Sequence, residues 1–185
     1  GCPMGPAFLQ DVKGMDTGSH VIDVIRAGYP ERMRCDWKSA IELMAEHKHF
    51  GQKNGSGFYE HSAANKDAAK RVPSPDAVAL IATVQKKVLK EFSDSEIIER
   101  CMLPMILEPV HCLDERVVSS PVELDTAVLM GIGFPAYLGG ALKYADWIGL
   151  KSVVSLCDQY SPRLGSLYRA PVSLREMAEQ GRTFY

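Results

Sequence analysis

The chain has 185 residues, 46% hydrophobic and 24% charged, with a formal net charge of -2, which is enough for one moderate domain or two small ones. Near-neutral charge without a basic block gives no electrostatic case for nucleic acid, and no apolar run approaches the roughly 18 residues of a membrane-spanning helix. Cys2, Cys35, Cys101, Cys112 and Cys157 are scattered, odd in number and form no C-x-x-C pair, so free, mostly buried thiols in a reducing compartment are expected.

In chain order, Gly5-Pro6 opens a short helix to Lys13, with proline at a first-turn position where its missing N–H costs nothing. Gly14 ends it, and Asp16 or Thr17 caps a second helix in which Val21, Ile22, Val24 and Ile25 form one buried face before Gly28. A third helix covers 36–47, with Trp37, Ile41, Leu43, Met44 and Ala45 as core. The stretch Gly51-Gln52-Lys53-Asn54-Gly55-Ser56-Gly57-Phe58-Tyr59 reads as an irregular turn whose two aromatics anchor in the core. Its lysine also invites a phosphate site, but the G-x-x-x-x-G-K-[ST] order is absent, and the structural turn is the main reading.

Residues 61–75 read as a polar linker, and Ser74-Pro75-Asp76 starts a helix to about Glu91 with Val78, Ile81, Val84 and Val88 on its apolar side. Ser93-Asp94-Ser95-Glu96 is a capping box that opens a long helix to Glu115, in which Pro104 and Pro109 are expected to kink the axis. A second box, Ser120-Pro121-Val122-Glu123, starts a helix to Met130 that delivers the loop Gly131-Ile132-Gly133-Phe134-Pro135. Helices over 136–147, 149–159 and 173–180 follow, and with no alternating strand pattern the fold class is all-α.

The chain repeats itself. Pro6-Ala7-Phe8-Leu9 returns as Pro135-Ala136-Tyr137-Leu138, Asp16 as Asp146, Tyr29-Pro30-Glu31-Arg32 as Tyr160-Ser161-Pro162-Arg163, Met44-Ala45-Glu46 as Met177-Ala178-Glu179, and Phe58-Tyr59 as Phe184-Tyr185. Landmarks in one order predict a duplicated helical unit, with a first copy at 1–60 and a second at 76–185. The two helices over 93–130 have no counterpart in the first copy. The chain is therefore expected to be a piece of a longer polypeptide, with an apolar groove beside Ala7, Leu9 and Val12 through which it self-associates.

The run Pro3-Met4-Gly5-Pro6-Ala7-Phe8-Leu9-Gln10-Asp11-Val12-Lys13-Gly14-Met15-Asp16-Thr17 resembles the start of the C-terminal helical domain of L-3-hydroxyacyl-CoA dehydrogenases, and Gln52 to Tyr59 resembles its terminal lysine-glycine-aromatic motif. Asp94-Ser95-Glu96-Ile97-Ile98-Glu99-Arg100, Leu103-Pro104-Met105 and Gly131-Ile132-Gly133-Phe134-Pro135 are similar to the second of two tandem domains in multifunctional fatty-acid oxidation α-subunits. The resemblance implies two copies of a 6-phosphogluconate dehydrogenase C-terminal-like helical domain, the first truncated. It also implies a bacterial cytoplasmic enzyme of β-oxidation that acts on acyl-CoA with NAD. Its Rossmann and hydratase domains would lie upstream, and a thiolase β-subunit would be its partner.

The family's catalytic histidine and glutamate belong to the Rossmann domain, so the resemblance implies no catalytic, cofactor-binding or metal residue in this chain, and the isolated piece is expected to be inactive. One substrate contact carries over by position. A tyrosine before the glycine loop in the family corresponds to Met130, which keeps apolar contact but has no hydroxyl. The family's substrate-contacting asparagine corresponds in the second copy to Glu99 of Glu99-Arg100, so Arg100 is expected to be structural, paired at the surface with Glu96 or in the neighbourhood of Asp114. His47 and His49 read as exposed, Asp11 and Asp16 as helix caps, and Phe8, Tyr137, Phe58 and Tyr59 as core. The alternative reading is a helical interaction module that keeps the fold without the chemistry.

Overall fold

The computed structural model describes residues 4–33, 35, 37–61, 71–85 and 91–185. Among these residues ten α-helices run in the order α1 Pro6–Lys13, α2 Met15–Gly28, α3 Pro30–Met33, α4 Ala40–Glu46, α5 Pro75–Ala82, α6 Asp94–Asp114, α7 Pro121–Gly131, α8 Ala141–Ile148, α9 Leu150–Leu164 and α10 Val172–Glu179, with 3-10 turns at Ala136–Leu138 and Ser166–Tyr168. Among the described residues there is no strand, only isolated bridges joining Gly51 to Ser56, Ser56 to Glu60 and Tyr59 to Pro73. The all-α class read from the sequence holds. The chain divides into two compact units, Pro3–Lys90 and Glu91–Tyr185.

In the first unit α1 turns into α2 at Gly14, whose φ of 97° and ψ of 132° lie where side-chain-bearing residues are rarely found. Among the described residues Met15, Met44 and Ala77 form one buried apolar cluster, with Ile41, Phe58 and Leu80 packed against it, and Leu43 is buried beside Met44 in the chain. Helix α5 therefore packs with the first unit, whereas the sequence reading placed everything from residue 76 onward in the second. Helix α4 starts four residues later than expected, because Ser39 and Glu42 cap reciprocally: the Ser39 hydroxyl accepts from Glu42 N at 3.2 Å and the Glu42 carboxylate from Ser39 N at 2.8 Å. Trp37 stays outside that helix and is 63% exposed rather than core. The expected buried face of α2 is also open. Only Met15 and Gly18 of that helix are buried, while Val21, Val24 and Ile25 face solvent.

The second unit is built around α6, whose Leu103, Ile106, Leu107 and Val110 pack with Leu142 of α8, Val153 and Cys157 of α9 and Leu174 of α10. Helix α6 continues through both Pro104 and Pro109. Pro104 has no N–H for the carbonyl four residues earlier, and the Tyr168 hydroxyl donates to that carbonyl, Arg100 O, at 3.1 Å. The Ser93 and Ser120 hydroxyls cap α6 and α7, accepting from Glu96 N and Glu123 N, and the Glu123 carboxylate accepts from Ser119 N, one residue earlier than the box predicted. The helix expected over 136–147 is split at Gly139 and Gly140, with φ of 77° and 122°.

Candidate functional site

Met130 lies one residue before the end of α7 and is 85% exposed. Beyond it Phe134 turns inward, 4% exposed, with its N–H donating to Val128 O at 3.1 Å. The helix that presents Met130 also carries Asp125, which is 3% exposed and was not singled out from the sequence. Its carboxylate accepts from Leu142 N at 2.9 Å, Lys143 N at 3.0 Å and the Tyr185 hydroxyl at 2.9 Å. Gly140 has no side chain to cap α8, so Asp125 supplies the cap from another helix. The space above Gly140 belongs to that carboxylate, since a Cβ there would lie 2.2 Å from Asp125 Cγ. Burial and the bond to Asp125 raise the Tyr185 phenol to about 12.

Helix α8, so fixed, carries Lys143, Asp146 and Trp147 on one face. Asp146 accepts from Phe184 N and Tyr185 N, both at 3.0 Å. These three residues, with Tyr137 and Leu138 of the preceding turn, line a groove of about 480 Å3. Tyr137 was expected in the core but is 88% exposed, and Trp147 is 75% exposed. The Lys143 ammonium lies 4.7 Å from the centroid of the Tyr185 ring.

The first unit contains a matching latch. Asp11 is fully buried and accepts from Phe58 N at 2.8 Å, Tyr59 N at 2.9 Å and, through Oδ2, lies 2.7 Å from His61 Nε2. Each latch is an aspartate three residues before a corner glycine, Gly14 or Gly149, closed by a Phe-Tyr pair far along the chain. Asp11 therefore stands where Asp146 stands, rather than Asp16 as the sequence spacing suggested. The tetrapeptide match also changes meaning, since Pro6-Ala7-Phe8-Leu9 lies in an α-helix and Ala136-Tyr137-Leu138 in a 3-10 turn. A Cβ on Gly57 would come within 2.4 Å of the Asp11 carboxylate, so the glycine-rich loop is needed for close approach.

The other sequence candidates resolve into structural roles. Lys53 donates to Asp16 at 2.8 and 2.9 Å and to Thr17 Oγ1 at 3.1 Å, and that hydrogen bond holds the Asp16 carboxyl below its usual range. Asp16 is thus an ion-pair partner rather than a cap. Arg100 lies 3.9 Å from Glu96, as expected, while Glu99 accepts from the buried Tyr160 hydroxyl at 2.5 Å. His47 Nδ1 meets Leu43 O at 3.0 Å and His49 Nδ1 meets Ser56 Oγ at 2.5 Å, so His49 is more engaged than the sequence suggested. Of the described cysteines only Cys157 is buried, and Cys101 is exposed; burial pushes the Cys157 thiol up to about 11. Among the described residues no three His, Cys, Asp or Glu side chains come together as a metal site, and no helix is long and apolar enough to cross a membrane.

The family model for the 3-hydroxyacyl-CoA dehydrogenase C-terminal domain matches residues 1–61 and 97–184, and so takes in the first latch whole and the second up to Phe184. The chain belongs to this family. Fatty acid oxidation complex subunit alpha proteins from Psychrobacter arcticus and Acinetobacter baylyi are each 44% identical to the dehydrogenase-family chain over all 185 of its residues. The chain spans 26% of the length of these relatives. The fold is similar to that of a 3-hydroxybutyryl-CoA dehydrogenase from Escherichia coli, with a TM-score of 0.69 at 18% identity over 97% of this chain and 52% of that one. It is also similar to the dehydrogenase part of multifunctional enzyme 1 from C. elegans, with a TM-score of 0.59 at 16% identity over 95% of this chain and 39% of that one. The described residues of this family member contain no strand and so no strand–glycine loop–helix unit to cradle a dinucleotide pyrophosphate. They do not fit NAD.

Proposed function

We propose that the chain is the substrate-side and association region of a longer NAD-dependent L-3-hydroxyacyl-CoA dehydrogenase, the α-subunit of a fatty-acid oxidation complex acting on acyl-CoA esters in the bacterial cytoplasm. The observation that carries this reading is the family match on both sides of the chain, each part containing a latch aspartate and its phenylalanine partner. The same pair of latches supports the two units as copies of one domain, the first without counterparts of α6 and α7. Dinucleotide binding and proton abstraction belong to polypeptide outside this chain, with a hydratase domain and a thiolase β-subunit as further partners. Met130 marks the substrate-facing end of α7, where an exposed thioether offers apolar contact and no proton.

Enzyme assay tests this directly. The polypeptide extended upstream is expected to reduce NAD with 3-hydroxybutyryl-CoA, whereas the 185-residue chain alone is expected to leave NADH unoxidised in the presence of acetoacetyl-CoA. Turnover by the isolated chain would overturn the division of labour, and an inactive extended polypeptide would favour the interaction-module reading. The open face formed by Val21, Val24 and Ile25 further supports self-association of the isolated chain. Sedimentation is expected to show reversible dimers that Val24→Glu disperses; a strictly monomeric profile at high concentration counts against it.

A further inference from the structure

We propose that the groove on α8 of the second unit binds the adenine nucleotide portion of a CoA ester, an assignment that rests on the functional reading above. Its volume of about 480 Å3 lies within the roughly 300–1,000 Å3 of ordinary small-ligand sites. Two of its walls are aromatic side chains left open to water, Tyr137 at 88% and Trp147 at 75% exposure. An exposed tryptophan face is a stacking platform for any purine.

The groove also contains a cation. Lys143 sits one helical turn before Trp147 on the same face of α8, and its ammonium rests on the Tyr185 ring. Among the described residues no carboxylate lies within ion-pair distance of it. Its charge is therefore available to a phosphate, unlike that of Lys53, which Asp16 takes. Tyr185 is in turn held by its hydroxyl on Asp125 and its N–H on Asp146, so the wall behind the lysine is fixed. Asp146 lines the same groove, and its Oδ1 shares a single backbone N–H, that of Phe184, with Oδ2. That oxygen retains a lone pair for an amino proton. A stacking face, an unpaired cation and a free carboxylate acceptor complement a flat ring, a phosphate and an exocyclic amine. Adenine nucleotides unite these three groups, and a CoA ester carries one at the end remote from its thioester.

The test is calorimetric titration of the 185-residue chain with CoA, with 3′,5′-ADP and with pantetheine, alongside fluorescence of a Trp37→Phe chain in which Trp147 is the sole indole. CoA and 3′,5′-ADP are expected to bind with similar affinity and to quench Trp147, with pantetheine at least tenfold weaker. Trp147→Ala and Lys143→Ala, both at exposed positions, are each expected to weaken CoA at least tenfold while leaving the circular dichroism spectrum and Tm unchanged. The assignment is overturned if neither nucleotide binds, if pantetheine binds as well as CoA, or if both variants bind CoA normally. An extended polypeptide that reduces NAD while this chain ignores CoA would remove the groove assignment alone. Binding of 3′,5′-ADP here, beside an inactive extended polypeptide, would remove the dehydrogenase reading and leave a nucleotide site.

Discussion

Asp125 is the residue on which most of the second unit's local order depends. It is nearly fully buried and satisfies two backbone donors at the start of α8 and one phenol. Removing a shared acceptor orphans all three donors, and each unpaired buried donor costs about 1–3 kcal/mol. Asp125→Ala is therefore expected to destabilise the second unit by about 3 kcal/mol in urea unfolding, and a loss below about 1 kcal/mol would show that water replaces the carboxylate. Tyr160 gives a prediction in pH. Its hydrogen bond to Glu99, and then burial, raise the phenol from 10.0 to about 12. A folded value above the unfolded one means that the stabilisation is complete below about pH 10 and fades as pH rises through about 12. Tyr185 is raised likewise. Tyr160→Phe is expected to cost roughly 1.5 kcal/mol at pH 8, the size of a hydrogen bond to a charged group, and to flatten part of the decline between pH 10 and 12. The Tyr160→Phe/Tyr185→Phe chain is expected to flatten most of it. An unchanged alkaline slope in the double variant would assign that slope to other groups.

At the scale of elements, two glycines that look alike in sequence separate cleanly. Gly140, at φ 122°, has the Asp125 side chain within 2.2 Å of where a Cβ would be, while nothing lies within 4 Å of the corresponding point on Gly131. Gly140→Ala is expected to cost more than 3 kcal/mol, combining backbone strain with displacement of a buried carboxylate. Gly131→Ala is expected to be neutral or to gain up to about 1 kcal/mol of helix propensity. Thermal unfolding of the two variants checks this, and equal losses would refute the role given to the Asp125 contact. The contrast also explains what could be read in the chain beforehand. The limits of α6 were legible within a residue, because Ser93 and Glu96 announce its start locally. The break at Gly139-Gly140 was not, since Leu142, Tyr144 and Ala145 keep helical spacing and the cause of the break is a carboxylate on another helix. Asp146 was found by repetition but paired with Asp16, because spacing cannot tell which of two nearby aspartates points inward. Trp37 and Tyr137 were assigned to the core on residue type alone, and type says nothing about which neighbours arrive to cover a ring.

For the whole molecule the two units differ in how much they bury. The second has fourteen buried apolar residues in one cluster, with Tyr160 and Leu142 among them, whereas among the described residues of the first the buried apolar side chains are Met15, Leu43, Met44 and Ala77. Ordering a residue's backbone costs about 1–2 kcal/mol, and burial of side chains is the main offset. Residues 91–185 expressed alone are therefore expected to unfold cooperatively. Residues 3–90 alone have the Asp11 latch and the Ser39 cap but little apolar core among the described residues, and they are expected to be marginal, losing helical signal at low urea. In the intact chain this imbalance predicts two transitions, the lower from the first unit and the upper from the second. Gly140→Ala is expected to move only the upper transition, while Asp11→Ala, which removes the acceptor for Phe58 and Tyr59, is expected to move only the lower. If both variants shift one shared transition, the units fold as a single cooperative body, and the latches stabilise the pair rather than each unit separately.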